Sequence, residues 1–254
     1  MKAIVCGKGG SGKSTIVALL ARHYNENGRR VLVVDTDESN ASLNRILGMD
    51  APKDLLEYFG GKRGMMEGFR KARKGETEPV ELNWTFDEIP KDFISKKNNI
   101  GLVAIGKIHE AGEGCACPMG ALSKRFISGL QISGDDVVII DTEAGIEHFG
   151  RGIDQICNLI LMIIDPSYES LHLSKEVTRM AEKIEVPVYY ILNKTNPSTT
   201  GYIRDSIGDE SMIIAELQND PELLLSGLEG KELPEEYPGI IGIVEKIEIH
   251  TDVT

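Results

Sequence analysis

Residues 7–15 read Gly7-Lys8-Gly9-Gly10-Ser11-Gly12-Lys13-Ser14-Thr15, the pattern G-x-x-x-x-G-K-[ST] of a phosphate-binding loop. Glycines let successive backbone N–H groups turn inward around an anion without a Cβ clash. In that arrangement Gly9, Gly10, Ser11, Gly12 and Thr15 line the cradle. Lys13 reaches the β/γ-phosphates, and the Ser14 hydroxyl binds Mg²⁺. Lys8 is a second lysine in the loop, at a position the motif leaves open to any residue.

Carboxylates follow at matching places. Asp141 closes the apolar run Val137–Ile140 and is expected to hold Mg²⁺. Asp35 and Asp37 close the run Val31–Val34. Asp37 is the expected positioner of the attacking water, with Asp35 closer to the sheet and structural. Thr142–Gly145 would lie beside the γ-phosphate, and Gly145 can swing its backbone when that phosphate leaves. Asn193-Lys194 falls at the end of a late apolar run, where Asn193 can pair with a base edge. A guanine reader needs an aspartate two residues after the lysine; residue 196 is Asn, which favours adenine and hence ATP.

Cys115-x-Cys117 lies in a glycine-flanked loop. Two thiolates so spaced can bind a soft or borderline metal, but a closed tetrahedral site needs four ligands. Either a local residue such as His109 completes it, or a twofold dimer supplies a second pair. Two idle thiols are equally compatible with the spacing. Cys6 and Cys157 sit in apolar settings and read as core thiols. His148 reads as a structural histidine.

These residues need a scaffold that brings strand ends together, and the pattern supplies one. Apolar strands are expected at Lys2–Cys6, Val31–Val34, Ile100–Ile105, Val137–Asp141, Leu159–Ile164 and Val186–Leu192, with a short one at Met212–Ile214. Their near-continuous apolar character is that of strands buried on both faces of a parallel sheet. Helices are expected after the phosphate loop to about Asn27-Gly28, and around Leu43–Leu47, Met119–Leu130, Gly150–Asn158, Ser170–Ile184, Pro221–Ser226 and Ile240–Ile249. The result is one α/β domain over residues 1–254, a doubly wound, mostly parallel sheet with ligands at the carboxyl ends of its strands. Residues 50–99 read as a variable surface excursion. There Gly60–Gly64 breaks any helix, Glu67–Lys74 forms one polar helix, and Trp84, Phe86, Ile89 and Phe93 serve as anchors.

The net charge of −12 disfavours nucleic acid or an anionic membrane as a partner. Four cysteines in 254 residues are too few for a secreted disulfide scaffold. With no signal-peptide pattern and no membrane-length apolar run, a cytoplasmic protein is expected.

With Lys8 in the loop, the Cys115-x-Cys117 pair and the run Asp141–Gly152, the sequence resembles the CooC-like ATPases, which mature carbon monoxide dehydrogenase. These lie within the MinD/ParA and nitrogenase iron protein group, whose phosphate loop carries the extra lysine. The resemblance implies a P-loop NTPase of the deviant Walker A type. It implies ATP hydrolysis with Lys8, Lys13 and Asp37 in catalytic roles, and a homodimer in the ATP-bound state. Ni²⁺ or Zn²⁺ would be held between the Cys115/Cys117 pairs of two subunits, and the client would be carbon monoxide dehydrogenase or acetyl-CoA synthase. Two other classes are open. A MinD/ParA-like positioning ATPase would bind a membrane or DNA. The membrane version usually needs a basic amphipathic C-terminal helix, which the mixed, acidic stretch 245–254 does not offer, and the acidic net charge disfavours DNA. An electron carrier like the nitrogenase iron protein would draw its cluster cysteines from well-separated positions rather than a tight pair.

Overall fold

The computed structural model describes residues 1–39, 42–77, 82–107, 117–143, 156–234 and 237–251. The strands are β1 (Lys2–Cys6), β2 (Arg30–Asp35), β3 (Ser95–Lys97), β4 (Ile100–Ala104), β5 (Asp136–Asp141), β6 (Leu159–Ile164), β7 (Val188–Thr195) and β8 (Ile213–Gln218). The helices are α1 (Lys13–Glu26), α2 (Leu43–Ile46), α3 (Leu55–Tyr58), α4 (Gly61–Arg73), α5 (Cys117–Gly129), α6 (Tyr168–Lys183), α7 (Pro197–Ile207), α8 (Pro221–Glu229) and α9 (Pro238–Thr251). The strands form one sheet in the order β3-β4-β2-β5-β1-β6-β7-β8. All pairings are parallel except the β3–β4 edge.

Strand periodicity divides the core in two. Ala3 and Val5 of β1, Val31 and Val33 of β2, and Val137 and Ile139 of β5 pack with α1, α2 and α9. Their alternates Ile4, Cys6, Leu32, Val34, Val138 and Ile140 pack with α5 and α6 on the opposite face. Both faces are covered, as the unbroken apolar strands require. Cys6 and Cys157 are buried in the second layer, as expected of core thiols. The chain leaves β1 for β2 on one side and later crosses to β6 on the other, so a switch point lies at the carboxyl end of β1.

Residues 50–99 are more integral than a surface excursion. Leu55, Met65, Leu82 and Ile89 are buried in the core, with Trp84 and Phe93 packed against it. The polar, three-residue β3 pairs antiparallel with β4. Gly60 and Gly61 take positive φ (75° and 76°), but helix α4 starts at Gly61 and runs through Gly64, so the glycines set its entry rather than break it. Helix α7 was not expected; Asn196 caps it by accepting from the Ser198 and Thr199 N–H groups, and Pro197 is its first residue. Strand β8 runs four residues beyond the expected Ile214. Of the helix expected at Gly150–Asn158, residues 150–155 lie outside the described residues, and 156–158 are not helical. No helix among the described residues is long and apolar enough to cross a membrane.

Candidate nucleotide-binding site

The loop between β1 and α1 needs its glycines. Gly7 has φ 145°, and a Cβ there would lie 2.4 Å from the Ile163 carbonyl oxygen of β6. Gly12, at φ 102°, is the residue before α1, and a Cβ there would lie 2.4 Å from Asn193 Nδ2. The loop closes on itself through Ser11 N–H to the Lys8 carbonyl at 3.1 Å. Lys13 Nζ donates to that same carbonyl at 3.3 Å, which holds its ammonium over the cradle. The loop leads directly into the first turn of α1, and a helix N-terminus presents backbone N–H groups and the positive end of its dipole to a phosphate. The Ser11 hydroxyl is buried without a hydrogen-bond partner among the described residues. Gly9 and Gly10 are exposed at the loop's crown, and Thr15 lines the adjoining cleft.

Register brings the acidic residues together. Asp141 is paired with Val5 of β1 on one side and with Asp35 of β2 on the other. Ser14 Oγ donates to Asp141 Oδ2 at 2.6 Å, while Asp141 Oδ1 is buried without a partner among the described residues. Burial, then the neighbouring Asp35, push the Asp141 carboxyl above the ordinary range, with Ser14 and Lys13 pulling the other way. A buried hydroxyl–carboxylate pair with an orphaned oxygen suits a hard divalent cation, so Ser14 and Asp141 fit Mg²⁺. Such an ion supplies charge neutralisation between phosphate oxygens.

Asp37 lies two residues past Asp35, buried, with Oδ1 accepting from the Ser39 N–H (2.9 Å) and hydroxyl (2.7 Å). Lys107, which no motif announced, donates from Nζ to Asp35 Oδ2 at 2.6 Å. Burial pushes the Asp35 carboxyl up, and Lys107 draws it back. Thr142 ties its N–H and hydroxyl to the Val5 carbonyl. Gly145, His148, His109 and Cys115 lie outside the described residues, and Cys117 opens α5.

Asn193 and Lys194 do not end β7, which continues to Thr195. They occupy a register shift between Leu192 and Thr195, and Lys194 has φ 58°. The irregularity turns both side chains toward the phosphate loop: Asn193 Nδ2 donates to the Ser11 carbonyl at 2.8 Å, and Lys194 Nζ to the Gly10 carbonyl at 2.7 Å. The Asn193 amide nitrogen is thus spent on the loop. Beside it opens a cleft of about 200 Å³ lined by Leu217, Leu223, Leu224 and Tyr237, with Gln218 and Asn219 at its edge. Apolar walls with a polar edge suit a flat nucleobase. The Asp220-Pro221 start of α8 that shapes this cleft was readable as a helix cap; its nearness to the loop was not.

Residues 2–233 match the CobQ/CobB/MinD/ParA nucleotide binding domain. The chain is 48% identical over 246 residues to an uncharacterised ATP-binding protein of Methanocaldococcus jannaschii, covering 96% of this chain and 98% of that one. It is 35% identical over 213 residues to the carbon monoxide dehydrogenase accessory protein CooC of Rhodospirillum rubrum, covering 81% of this chain and 79% of that one. Among solved structures, the septum site-determining protein MinD of Pyrococcus horikoshii complexed with Mg-ADP aligns with a TM-score of 0.68 at 20% identity, covering 99% and 97% of the two chains. At that identity the likeness speaks for the fold alone. With phosphate loop, acidic strand ends and family match in agreement, the chain belongs to the CobQ/CobB/MinD/ParA nucleotide-binding family and is an ATP-hydrolysing P-loop enzyme.

Proposed function

We propose that this ATPase dimerises on ATP and supports nickel insertion into a client nickel enzyme, carbon monoxide dehydrogenase or acetyl-CoA synthase, as a metallochaperone. The observation that carries the reading is the Cys115-x-Cys117 pair leading directly into α5, on the segment that follows β4. The carboxyl end of β4 lies beside that of β2, next to Asp35 and Asp37. The relationship to an accessory protein of carbon monoxide dehydrogenase supports the choice of client.

Lys8 of one subunit neutralises phosphate charge on the other, which favours a closed dimer with ATP at each site. Lys13 and the loop N–H groups hold the phosphates, Ser14 and Asp141 take Mg²⁺, and Asp37 orients the attacking water. Closure pairs two Cys115/Cys117 loops into a four-sulfur site for Ni²⁺ or Zn²⁺. Loss of the γ-phosphate relaxes the turns at Asp37 and Asp141–Gly145 and releases the metal to the client. Metal analysis and sizing of the wild type and a Cys115→Ala/Cys117→Ala variant, each with and without ATP, test the reading. Metal bound in equal amount by the double variant would contradict it, and a brown protein with broad visible absorption would point to an iron–sulfur cluster instead.

A further inference from the structure

Lys107 stands just past β4 and is held from two directions. Its backbone N–H donates to Asp54 Oδ2 at 2.8 Å, at the residue preceding α3. Its side chain crosses to the end of β2, where Nζ donates to Asp35 Oδ2 at 2.6 Å and to the Asp37 backbone carbonyl. The pair is nearly dry, with the lysine side chain 14% exposed and the Asp35 side chain 5%. The second oxygen of Asp35 accepts the Asp37 N–H at 3.1 Å. Both backbone polar groups of Asp37 are therefore fixed by one ion pair, the N–H by the carboxylate and the C=O by the ammonium. The Asp37 carboxylate stands on that frame and accepts from the N–H and hydroxyl of Ser39.

A surface ion pair would fix little, because water screens it and side-chain entropy opposes it. A buried pair differs. Taking one partner away leaves an uncompensated charge in the interior, so the geometry is held firmly while both are present. Its placement has no need of phosphate: the ammonium already makes two hydrogen bonds within the chain, on the far side of Asp35 from the loop's own lysines.

We propose that Lys107 is a positioning residue for ATP hydrolysis: paired with Asp35, it clamps the backbone on both sides of Asp37 and so aims the Asp37 carboxylate at the attacking water. The assignment rests on Asp37 being the group that orients that water. Small displacements of such a group are costly, about 10²-fold in rate for an error near 1 Å.

The test compares four purified full-length variants, Lys107→Met, Lys107→Arg, Lys107→Met/Asp35→Asn and Asp37→Asn, with the wild type. The readouts are kcat, affinity for a non-hydrolysable ATP analogue, and melting temperature. Lys107→Met is expected to lower kcat about 10–100-fold while analogue affinity stays within about twofold. Lys107→Arg is expected to recover most of the turnover, since a guanidinium can bridge a carboxylate and a carbonyl. The double variant removes the stranded carboxylate and is expected to regain melting temperature without regaining kcat, because the Asp37 carbonyl still lacks its donor. That last readout keeps the question open to answer even if Lys107→Met alone fails to fold. Unchanged kcat in Lys107→Met, analogue affinity falling in step with kcat, or full recovery of kcat in the double variant would each overturn the proposal. Asp37→Asn separates the two layers: slow Asp37→Asn with normal Lys107→Met removes only the role of Lys107, whereas normal Asp37→Asn removes the reading of Asp37 beneath it.

Discussion

The ammonium of Lys8 lies 3.3 Å from Asp165 Oδ2, within its own chain. Asp165 follows β6 and is pinned by the hydroxyls of Ser167 and Ser170, both donating to its Oδ1. The lysine that would reach a partner's phosphates is therefore held at home by an anchored carboxylate. Asp165→Asn should loosen that hold and favour the dimer. The pair is partly exposed, so it is worth no more than about 1 kcal/mol in each subunit; with one pair given up by each of the two subunits, that corresponds to a shift of up to about 30-fold in dimer dissociation constant. Sedimentation with a non-hydrolysable ATP analogue reads this directly. A weaker dimer in Asp165→Asn would place Asp165 among the residues that hold the dimer rather than restrain it.

Asp141 gives a pH prediction with a definite sign. Burial and Asp35 hold its carboxyl above the ordinary range, so the folded chain binds this proton more tightly than the unfolded chain. The stability from that proton is complete below the ordinary carboxylate value. It is lost as pH rises through the raised one. Without Mg²⁺ or nucleotide, the melting temperature should therefore fall between about pH 4, the ordinary carboxylate value, and the raised value of about 7. Asp141→Asn should reduce that slope, leaving the part that buried Asp35 contributes with the same sign, and raise stability at the upper end by about 1–2 kcal/mol, or roughly 2–8 °C. It should also lose stabilisation by Mg-ATP. A melting temperature flat with pH in the wild type would contradict the account.

Asn193 braces the phosphate loop with its amide nitrogen, so its loss should act on phosphates more than on the base. Asn193→Ala is expected to weaken ATP and GTP binding by the same factor, about 3–10-fold for one such hydrogen bond with a partly buried acceptor. Fluorescent analogues of both nucleotides measure it. A change in the ATP-to-GTP ratio would instead make Asn193 the reader of the base.

Much of the scaffold was legible because parallel strands buried on both faces are unbroken apolar runs, as Leu159–Ile164 shows by matching β6 residue for residue. The loop was legible because its glycines are demanded by contacts as close as that of Gly7 with Ile163. Polar or short elements were not. Ser95–Lys97 forms a strand only because β4 offers an edge, and α7 begins Pro-Ser-Thr-Thr-Gly, a poor helix former stabilised by its Asn196 capping box. Lys107 was invisible for a different reason. Its partner Asp35 is 72 residues away, and only the β2–β4 pairing brings them together. A distant ion pair leaves no spacing signal along the chain.

The central claim, that ATP-driven closure of a dimer assembles a metal site from two Cys115/Cys117 pairs, is tested most directly by titrating Ni²⁺ into the wild-type protein with a non-hydrolysable ATP analogue and, separately, with ADP. The account predicts one metal per two chains and tighter binding with the ATP analogue than with ADP, and by linkage Ni²⁺ should raise analogue affinity relative to ADP affinity by the same factor. Equal Ni²⁺ affinities in the two nucleotide states would contradict it.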